Sequence, residues 1–540
     1  MKSEPSALRD FTVDRRVWLL SGVAIVIGAC ATGLAVVLLR LIALSTNLFY
    51  YHRLSAVTIS PAGSPLGHWM VIVPVVGGLL VGLMARYGSD KIRGHGIPEA
   101  IEAILLHRAK VDAKIAILKP ISAAIAIGSG GPFGAEGPII MTGGAVGSLI
   151  AQWMRVTDAE RTTLLVAGAA AGMSATFATP VAAILLAVEL LLFEWRPRSL
   201  VPVAMASATA GILRVYWLGA GPLFHMPDTP LSGTHRILFA IGALLLGGLL
   251  GFVAAGMSRM MYAFEDLFEH LHVHWMWWPA IGGIGIGVGG VFFPRGLGVG
   301  YDNIAELLHG NATLGLIVGI LIAKSLMWAF SLGSGTSGGV LAPLLMIGGA
   351  VGAMAGHLAH ASVEAQAFWA LIGMGSMLAG SLGVPLTAIM FSLEVTHCLP
   401  ALLPLTMACI ASYLVTSLLM PRSILTEKLA RRGYHLTREY GVDPLELVIV
   451  RDLMTPLPLA DTKTVLPEFY TYEDGTARGA AELMATEGLA TLPVVDRSTH
   501  KVCGEIQLSD LLRGRSQSIE RESERLRLFN YIPPEQGGHN

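Results

Sequence analysis

The chain has 540 residues, of which 53% are hydrophobic and only 14% are charged, and its formal net charge is −1 at pH 7. Its mean hydropathy of +0.61 exceeds that of ordinary soluble globular proteins. The balanced charge gives no electrostatic reason to expect a nucleic-acid partner, and the composition predicts an integral protein of the lipid bilayer.

The first predicted element is a membrane-spanning helix from Val17 to Leu39, a run of 23 residues without a charge. At 1.5 Å per residue, this run can cross a hydrocarbon core of about 30 Å. It is not a signal peptide, because further long apolar segments follow between His68 and Leu419. We expect about ten to twelve such segments in all, several of them interrupted by Gly or Pro.

Basic residues predict the orientation of the spans. Three arginines precede the first span, and the segment 86–119 contains seven Lys or Arg, whereas the loop 46–66 between them holds only Arg53. Lys and Arg accumulate in cytoplasmic loops, so the N-terminus (1–16) and the segment 86–119 are both expected in the cytoplasm. We expect the C-terminus there as well, and a bacterial-type inner (plasma) membrane as the location.

The central part of the chain contains an internal repeat. Residues 128–150 (GSGGPFGAEGPIIMTGGAVGSLI) align without gaps on residues 333–355 (GSGTSGGVLAPLLMIGGAVGAMA), with eleven of 23 positions identical. The same offset of 205 places PVAAILLAVE (180–189) on PLTAIMFSLE (385–394). The counterpart of the basic segment has only two basic residues, so the two halves are predicted to form an inverted repeat with a substrate site near the midplane.

Three Gly-rich segments each lead into a helix that begins at or near a proline: GHGIPEA (94–100), GAEGPII (134–140) and GGVLAPLL (338–345). The first N–H groups of a helix have no intrahelical partner, and together with the helix dipole they form an anion site. If the repeat folds as predicted, these positive helix ends converge and hold an anion mainly with backbone groups.

These segments, followed by SILTEKL (423–429), resemble the signature segments of the CLC chloride channel and transporter family. The resemblance implies an all-α polytopic membrane domain at 17–430, with inverted repeats of about 17–220 and 235–430 and with broken helices. It also implies a homodimer with an anion pathway in each subunit, most simply for chloride, and Glu136 as the gate whose carboxylate occupies an anion position. The anion-lining positions that it implies are Gly94, His95, Gly96, Ile97, Ala135, Gly137, Val340, Leu341 and Leu425.

Four of these positions depart from the best-known members of the family. His95 replaces a serine that contacts the anion, and we expect its imidazole N–H to line the pathway, although a polar residue in an aqueous vestibule is the alternative. Leu425 replaces an anion-contacting tyrosine, and Ala135 replaces an arginine. Leu341 replaces a phenylalanine, but the contact there is made by backbone N–H groups, which any residue supplies.

The predicted route for protons also departs from the family. Exchangers often have two adjacent glutamates where this chain has Glu189 and Leu190, and the second one relays protons. Glu394, the repeat mate of Glu189, indicates a structural role for both. Glu194 lies one turn beyond Leu190 and is a candidate substitute on a similar helix face, but an interfacial glutamate paired with Arg196 is an equally good interpretation.

Two further clusters carry less weight. His270, His272 and His274 stand beside three tryptophans, and alternating histidines can ligate metal, but an interfacial aromatic belt explains them better. The four cysteines are scattered along the chain, and we interpret them as unpaired packing residues. We predict no cofactor and no metal site.

After the membrane part, the composition becomes that of a soluble protein. A linker at 431–447 leads to residues 448–514, which resemble one CBS module, and a charged tail follows at 515–540. CBS modules act in pairs, so a single copy predicts pairing across the dimer. A nucleotide site would use Asp510, but Gln507 replaces the hydroxyl residue found three positions earlier in such sites.

Three functions remain open at this stage. Proton-coupled anion exchange is our first prediction, a passive anion channel is the second, and a membrane-embedded sensor that signals through the CBS-like module is the third. An enzyme is not expected, since the spans contain no HExxH, GxSxG or paired aspartates.

Overall fold

The computed structural model describes residues 15–192, 194–226, 236–433, 444–446, 448–457 and 467–516. The chain divides into two compact units, one at residues 11–438 and the other at residues 1–10 and 439–540. Among the described residues, nine helices are long and apolar enough to cross a membrane, and two shorter apolar helices accompany them. The predicted polytopic helical architecture is thereby confirmed.

The first half of the membrane unit is a succession of helices, and the π-helical segment Ala187–Leu192 extends α7. The helices are α1 (Arg16–Tyr51), α2 (Ile72–Tyr87), α3 (Ile97–Leu106), α4 (Ala113–Gly128), α5 (Glu136–Trp153), α6 (Asp158–Phe177), α7 (Pro180–Leu186), α8 (Pro197–Leu213) and α9 (Val215–Leu218).

The second half repeats this order of helices, but its π-helical segment, Ile320–Lys324, lies at a different place and joins α13 to α14. Its helices are α10 (Arg236–Glu269), α11 (Trp278–Phe292), α12 (Tyr301–Leu308), α13 (Leu314–Gly319), α14 (Ser325–Gly333), α15 (Leu341–Leu358), α16 (Val363–Leu382), α17 (Pro385–Thr396), α18 (Leu402–Leu419) and α19 (Ile424–Arg431).

The offset of 205 residues found in the sequence continues through the helices. The helices α5, α6, α7 and α8 begin at residues 136, 158, 180 and 197, and α15, α16, α17 and α18 begin at 341, 363, 385 and 402. The two halves are therefore structural repeats over a longer stretch than sequence identity alone indicates.

Glycines allow the repeated helices to pack closely. A side chain at Gly143 of α5 would overlap the carbonyl oxygen of Gly168 on α6, and the reverse is also true. Gly348 and Gly373 are the counterparts of Gly143 and Gly168 in the second repeat. A side chain at either one would overlap the carbonyl oxygen of the other, between α15 and α16. Close backbone approach of this kind is how helices associate where burial of apolar surface supplies little driving force.

The small unit is an α/β structure. Its sheet has the order β1-β4-β3-β2, in which β2 is parallel to β3 and the other pairs are antiparallel. Its strands are β1 (Thr455–Pro456), β2 (Thr471–Tyr472), β3 (Thr491–Val495) and β4 (Val502–Gln507). The helix α20 (Ala477–Glu487) precedes β3, and residues 508–516 after β4 are helical as well. The LPVV and VCGEI strands and the preceding helix were predicted. The N-terminal 14 residues, most of the linker and most of the charged tail lie outside the described residues.

Candidate functional site

The three Gly-rich segments meet inside the membrane unit through backbone hydrogen bonds. The N–H of Gly94 donates to the carbonyl oxygen of Thr336 at 3.0 Å. Gly134 and Gly339 exchange two bonds, of 3.2 and 2.8 Å, across the repeat. Since α3, α5 and α15 begin directly after these contacts, their first N–H groups, which lack intrahelical partners, face one shared region.

Glycine is required at several points of this junction. Gly96 has a φ of +91°, a conformation that glycine adopts freely and residues with a side chain rarely adopt. A side chain at Gly137 would overlap the carbonyl oxygen of His95, and one at Gly339 would overlap the carboxylate of Glu136. The glycines that stand out in the sequence thus permit backbone segments and a carboxylate to approach each other.

Glu136 is the first residue of α5, and its side chain is fully buried. Its Oε1 accepts a hydrogen bond of 2.5 Å from the N–H of Ala342, in the first turn of α15. Its Oε2 is buried and has no partner in the described part of the chain. The carboxylate of one repeat therefore binds the amino end of a helix from the other repeat, a position where helix geometry favours a negative charge.

His95 lies at the start of α3, only 3% exposed, and its buried Nδ1 has no partner among the described residues. Beside it Glu99 accepts from the N–H of Gly96 at 2.7 Å and pairs with Lys428 at 2.7 Å. The imidazole is thus enclosed near a buried ion pair. Neither Glu99 nor Lys428 was singled out in the sequence.

Two buried lysines flank the loops that precede α3 and α12. Lys119 and Lys324 are repeat mates at the offset of 205, and neither is exposed to solvent. Each ammonium group donates to two backbone carbonyls, at 2.7–2.9 Å: those of Ile92 and Gly94 for Lys119, and those of Gly296 and Gly298 for Lys324. A lysine inside an apolar helical segment, repeated at the offset, is a signal that the sequence contained.

The other predicted anion-lining residues lie at the same junction or in α19. Ala135, Ile97, Val340 and Leu341 are buried around the helix ends. Leu425 is buried in α19, where the hydroxyl of Tyr262 donates to the carbonyl oxygen of Ile424 at 2.6 Å. A hydroxyl therefore lies beside this inner segment, but it belongs to α10 and is already bonded.

Glu189 and Glu394 cap each other's helices across the repeat. Glu189 accepts from the N–H groups of Leu386 and Thr387 at 3.1 and 2.8 Å, and from the Thr387 hydroxyl at 2.6 Å. Glu394 accepts from the N–H groups of Val181 and Ala182 at 2.9 and 2.8 Å. This reciprocity matches the structural role that the repeat predicted for both residues.

The expectation that Glu194 shares a helix face with Leu190 is wrong. The helix ends at Leu192, because Arg196 adopts the extended backbone that precedes a proline and caps α8. Glu194 lies beyond the helix end and contacts Arg198 at 3.2 Å, Arg196 at 3.5 Å and the hydroxyl of Ser199 at 2.7 Å.

A cavity of about 480 Å³ adjoins the junction on the side of the basic segment 86–119. Gly94, Glu99 and Lys428 connect its wall with the helix ends. Its other charged wall residues are Asp90, Lys91, Arg93, Glu102, Lys110, Asp112, Glu265, Glu269, Arg431 and Arg432. The cavity can hold water next to the start of α3.

The histidine cluster takes part in local contacts. The Nδ1 of His270 contacts the carbonyl oxygen of Asp266 at 2.7 Å, and His274 accepts from the N–H of Met276 at 3.2 Å. Within the described ranges, no group of three or more His, Cys, Asp or Glu side chains is arranged to hold a metal ion.

In the small unit, the carboxylate of Asp510 is engaged within its own segment. It accepts from the N–H of Gln507 at 3.0 Å and from the guanidinium of Arg513 at 3.0 Å. Both of its oxygens therefore have protein partners, and a nucleotide would have to share them.

Comparison with known proteins places these features in context. The profile of a family described as voltage gated chloride channel matches residues 77–417. A chloride channel protein, ClcB-like, of Ralstonia nicotianae is 30% identical over 372 residues, which are 67% of this chain and 85% of the relative. The H(+)/Cl(−) exchange transporter ClcA of Citrobacter koseri is 30% identical over 377 residues, 65% of this chain and 78% of the relative. The crystal structure of a slow cyanobacterial Cl⁻/H⁺ antiporter has the same fold, with a TM-score of 0.67 at 22% identity, over 78% of this chain and 99% of the antiporter.

Proposed function

The chain belongs to the voltage-gated chloride channel family, and from this premise we propose that it carries chloride, or a similar small anion, across the membrane in exchange for protons. The observation that carries the proposal is the 2.5 Å contact between Glu136 and the N–H of Ala342. A carboxylate is itself an anion, so backbone groups that bind it also suit chloride. The relatives named as H(+)/Cl(−) exchange transporters support coupling to protons.

Glu136 is the gate in this proposal. While ionised it competes with the anion for the helix-end N–H groups, and protonation or displacement removes that competition. The flux should therefore rise as the pH falls. His95, Leu341 and Leu425, together with the backbone at Gly94, Gly96, Ile97, Ala135, Gly137 and Val340, line the anion path.

The gate is tested by Glu136→Gln, which keeps the shape of the side chain and removes its charge. Chloride efflux from liposomes, followed with an electrode between about pH 4.5 and about pH 8, should persist and lose most of its pH dependence. Glu364→Gln, in the first turn of α16 and away from the junction, should keep the wild-type profile. A Glu136→Gln variant with wild-type pH dependence contradicts the gate, and a wild-type protein without flux favours the sensor.

A passive anion channel is the second candidate, and the surroundings of Glu194 favour it. Leu190 supplies no titratable group, and Glu194 is held by two guanidinium groups and a hydroxyl. An exchanger then has to bring protons to Glu136 through the titratable His95 or through water in the cavity of about 480 Å³, which we call the inner cavity. The two candidates differ in whether anion movement drives protons.

The proposed assembly is a homodimer in an inner, plasma-type membrane with both termini in the cytoplasm. Helices α8 and α18 expose large apolar side chains, for example Ile212 at 65% and Leu403 at 74%, which lipid or a second subunit must cover. The CBS-like unit then pairs with its copy in the other subunit. Light scattering of the detergent-solubilised protein measures the subunit number directly.

A further inference from the structure

Tyr301 is the first residue of α12 and occupies the second-repeat counterpart of the anion-lining segment GHGIP. Gly300 precedes Tyr301 and has a φ of +81°. In the first repeat, Gly96 precedes Ile97 and has a φ of +91°. The two helices start 204 residues apart, at 97 and 301. In place of the apolar Ile97, the second repeat thus has a residue with a hydrogen-bonding hydroxyl.

Aromatic rings hold the Tyr301 side chain in place. Its ring meets that of Phe177 edge-on at 6.4 Å and that of Phe224 at 6.0 Å, and Phe177 in turn contacts Phe391 at 5.3 Å. None of these phenylalanine side chains can accept a conventional hydrogen bond from the phenol. The rings therefore fix the phenol without satisfying its hydroxyl.

The hydroxyl of Tyr301 and the Oε2 of Glu136 share an unusual property. Both atoms are buried, and neither has a hydrogen-bond partner within the described ranges. An unpartnered buried polar atom is costly, and in a native protein it calls for a functional explanation. The start of α12 packs on the same helix that binds Glu136: a side chain at Gly300 would overlap the sulfur of Met346, one turn beyond Ala342 on α15. One atom can donate and the other can accept, so a hydrogen bond between them would satisfy both.

We propose that Tyr301 is a positioning residue for the gate: its hydroxyl donates a hydrogen bond to the ionised Glu136 carboxylate when an anion displaces that carboxylate from Ala342. This inference rests on the proposed function, because it assumes that Glu136 leaves the helix end during transport. The bond lowers the free energy of the displaced, ionised state. A protonated Glu136 does not compete with the anion, so anion flux at low pH does not depend on this hydrogen bond.

The test is Tyr301→Phe, which removes only the hydroxyl, with Tyr413→Phe as the matched control. Tyr413 lies on α18 and is 40% exposed. Loss of one hydrogen bond to a charged group should reduce the chloride flux at about pH 8 roughly tenfold or more and leave the flux at about pH 4.5 unchanged. Tyr413→Phe should change neither. The thermal unfolding midpoint of Tyr301→Phe should not fall, because the hydroxyl has no partner in the resting structure.

A second background separates this role from the alternatives. In Glu136→Ala the carboxylate is absent, so adding Tyr301→Phe should change nothing at either pH. An equal loss of flux with and without the carboxylate would mean that the hydroxyl acts on the anion or on packing, and it would overturn the proposal. So would an unchanged flux of Tyr301→Phe at about pH 8. If Glu136→Ala keeps the wild-type pH dependence, Glu136 is not the gate, and the inference about Tyr301 is wrong as well. If Glu136→Ala is insensitive to pH but Tyr301→Phe has the wild-type flux at both pH values, only the role of Tyr301 is contradicted.

Discussion

The carboxylate of Glu136 is surrounded by backbone, and this determines what can replace it. A side chain at Gly134 or Gly339 would overlap the carboxylate, so glycine at these positions leaves room for Glu136 to reach Ala342. A hydrogen bond from a backbone N–H to a charged group contributes about 1.5–3 kcal/mol net. An anion that displaces the carboxylate has to match that contribution without exceeding it by much, because a tightly bound anion would not leave.

His95 should influence which anion passes. Its Nδ1 is buried without a partner in the described structure, and its ring occupies space that a serine would leave open. We expect His95→Ser to change the relative fluxes of chloride, bromide and nitrate by roughly tenfold, the effect of about 1.4 kcal/mol. His309→Ser, at an exposed position at the end of α12, is the control and should leave the selectivity unchanged.

The selectivity measurement uses liposomes loaded with each anion in turn. Unchanged ratios in His95→Ser would place the imidazole outside the anion path, as a polar residue of the inner cavity. A loss of all flux together with a lower thermal unfolding midpoint would instead indicate a role in folding.

Single residues of the site were predictable from the sequence to different extents. Glu136 and His95 stood out because a charged or polar residue is rare among glycines and apolar residues. Lys119 and Lys324 could have been found, since they recur at the repeat offset. Tyr301 could not, because its significance depends on an unpartnered hydroxyl. Glu194 was misplaced because the proline at 197 ends the helix pattern earlier than the apolar run indicates.

At the scale of elements, the repeat offset predicted more than the hydropathy pattern did. It placed the starts of α15 to α18 once those of α5 to α8 were known. It did not predict the π-helical segments at Ala187–Leu192 and Ile320–Lys324, because one extra residue in a turn leaves the apolar pattern of a buried helix unchanged. The packing of α5 on α6 through Gly143 and Gly168 likewise required the structure.

The mutual caps of α7 and α17 join the two repeats, and we expect them to contribute to stability. Each glutamate accepts two N–H bonds at the amino end of the other helix, where a negative charge is favourable. Glu189→Gln or Glu394→Gln removes the charge and one acceptor oxygen, so each should destabilise the protein by about 1–3 kcal/mol. Thermal unfolding in detergent measures the effect.

A surface variant and the double variant complete that experiment. Glu364→Gln removes a first-turn carboxylate at the protein surface and should cost clearly less. If neither glutamine variant of the caps lowers the unfolding midpoint more than Glu364→Gln does, the caps do not hold the repeats together. The double variant should lose at least as much as the more damaging single variant.

At the scale of the whole molecule, the proposed exchange depends on how protons reach Glu136 from the side of the basic segment 86–119. Moving a proton across bare hydrocarbon is costly, so a titratable side chain or water has to bridge the distance. The cavity of about 480 Å³ has room for water, and its wall includes Gly94, the chain neighbour of His95, and Glu99. The route along α7, in contrast, passes the buried Leu190 and ends at Glu194 among arginines. The structure therefore favours a proton route through the inner cavity over one through α7.

The decisive measurement places the purified protein in sealed liposomes with a chloride gradient and no pH gradient. An exchanger uses the chloride gradient to move protons away from their own equilibrium, so a pH difference should develop while chloride flows. Glu136→Gln should keep the chloride flux and abolish the proton movement, because the protonated and ionised states of the gate no longer interconvert. Glu194→Gln should leave the proton movement intact if protons travel through the inner cavity, and should abolish it if Glu194 is the relay. Chloride flux in the wild-type protein without any uphill proton movement would assign the protein to the passive channels, since no other coupling of the two ions could then be present.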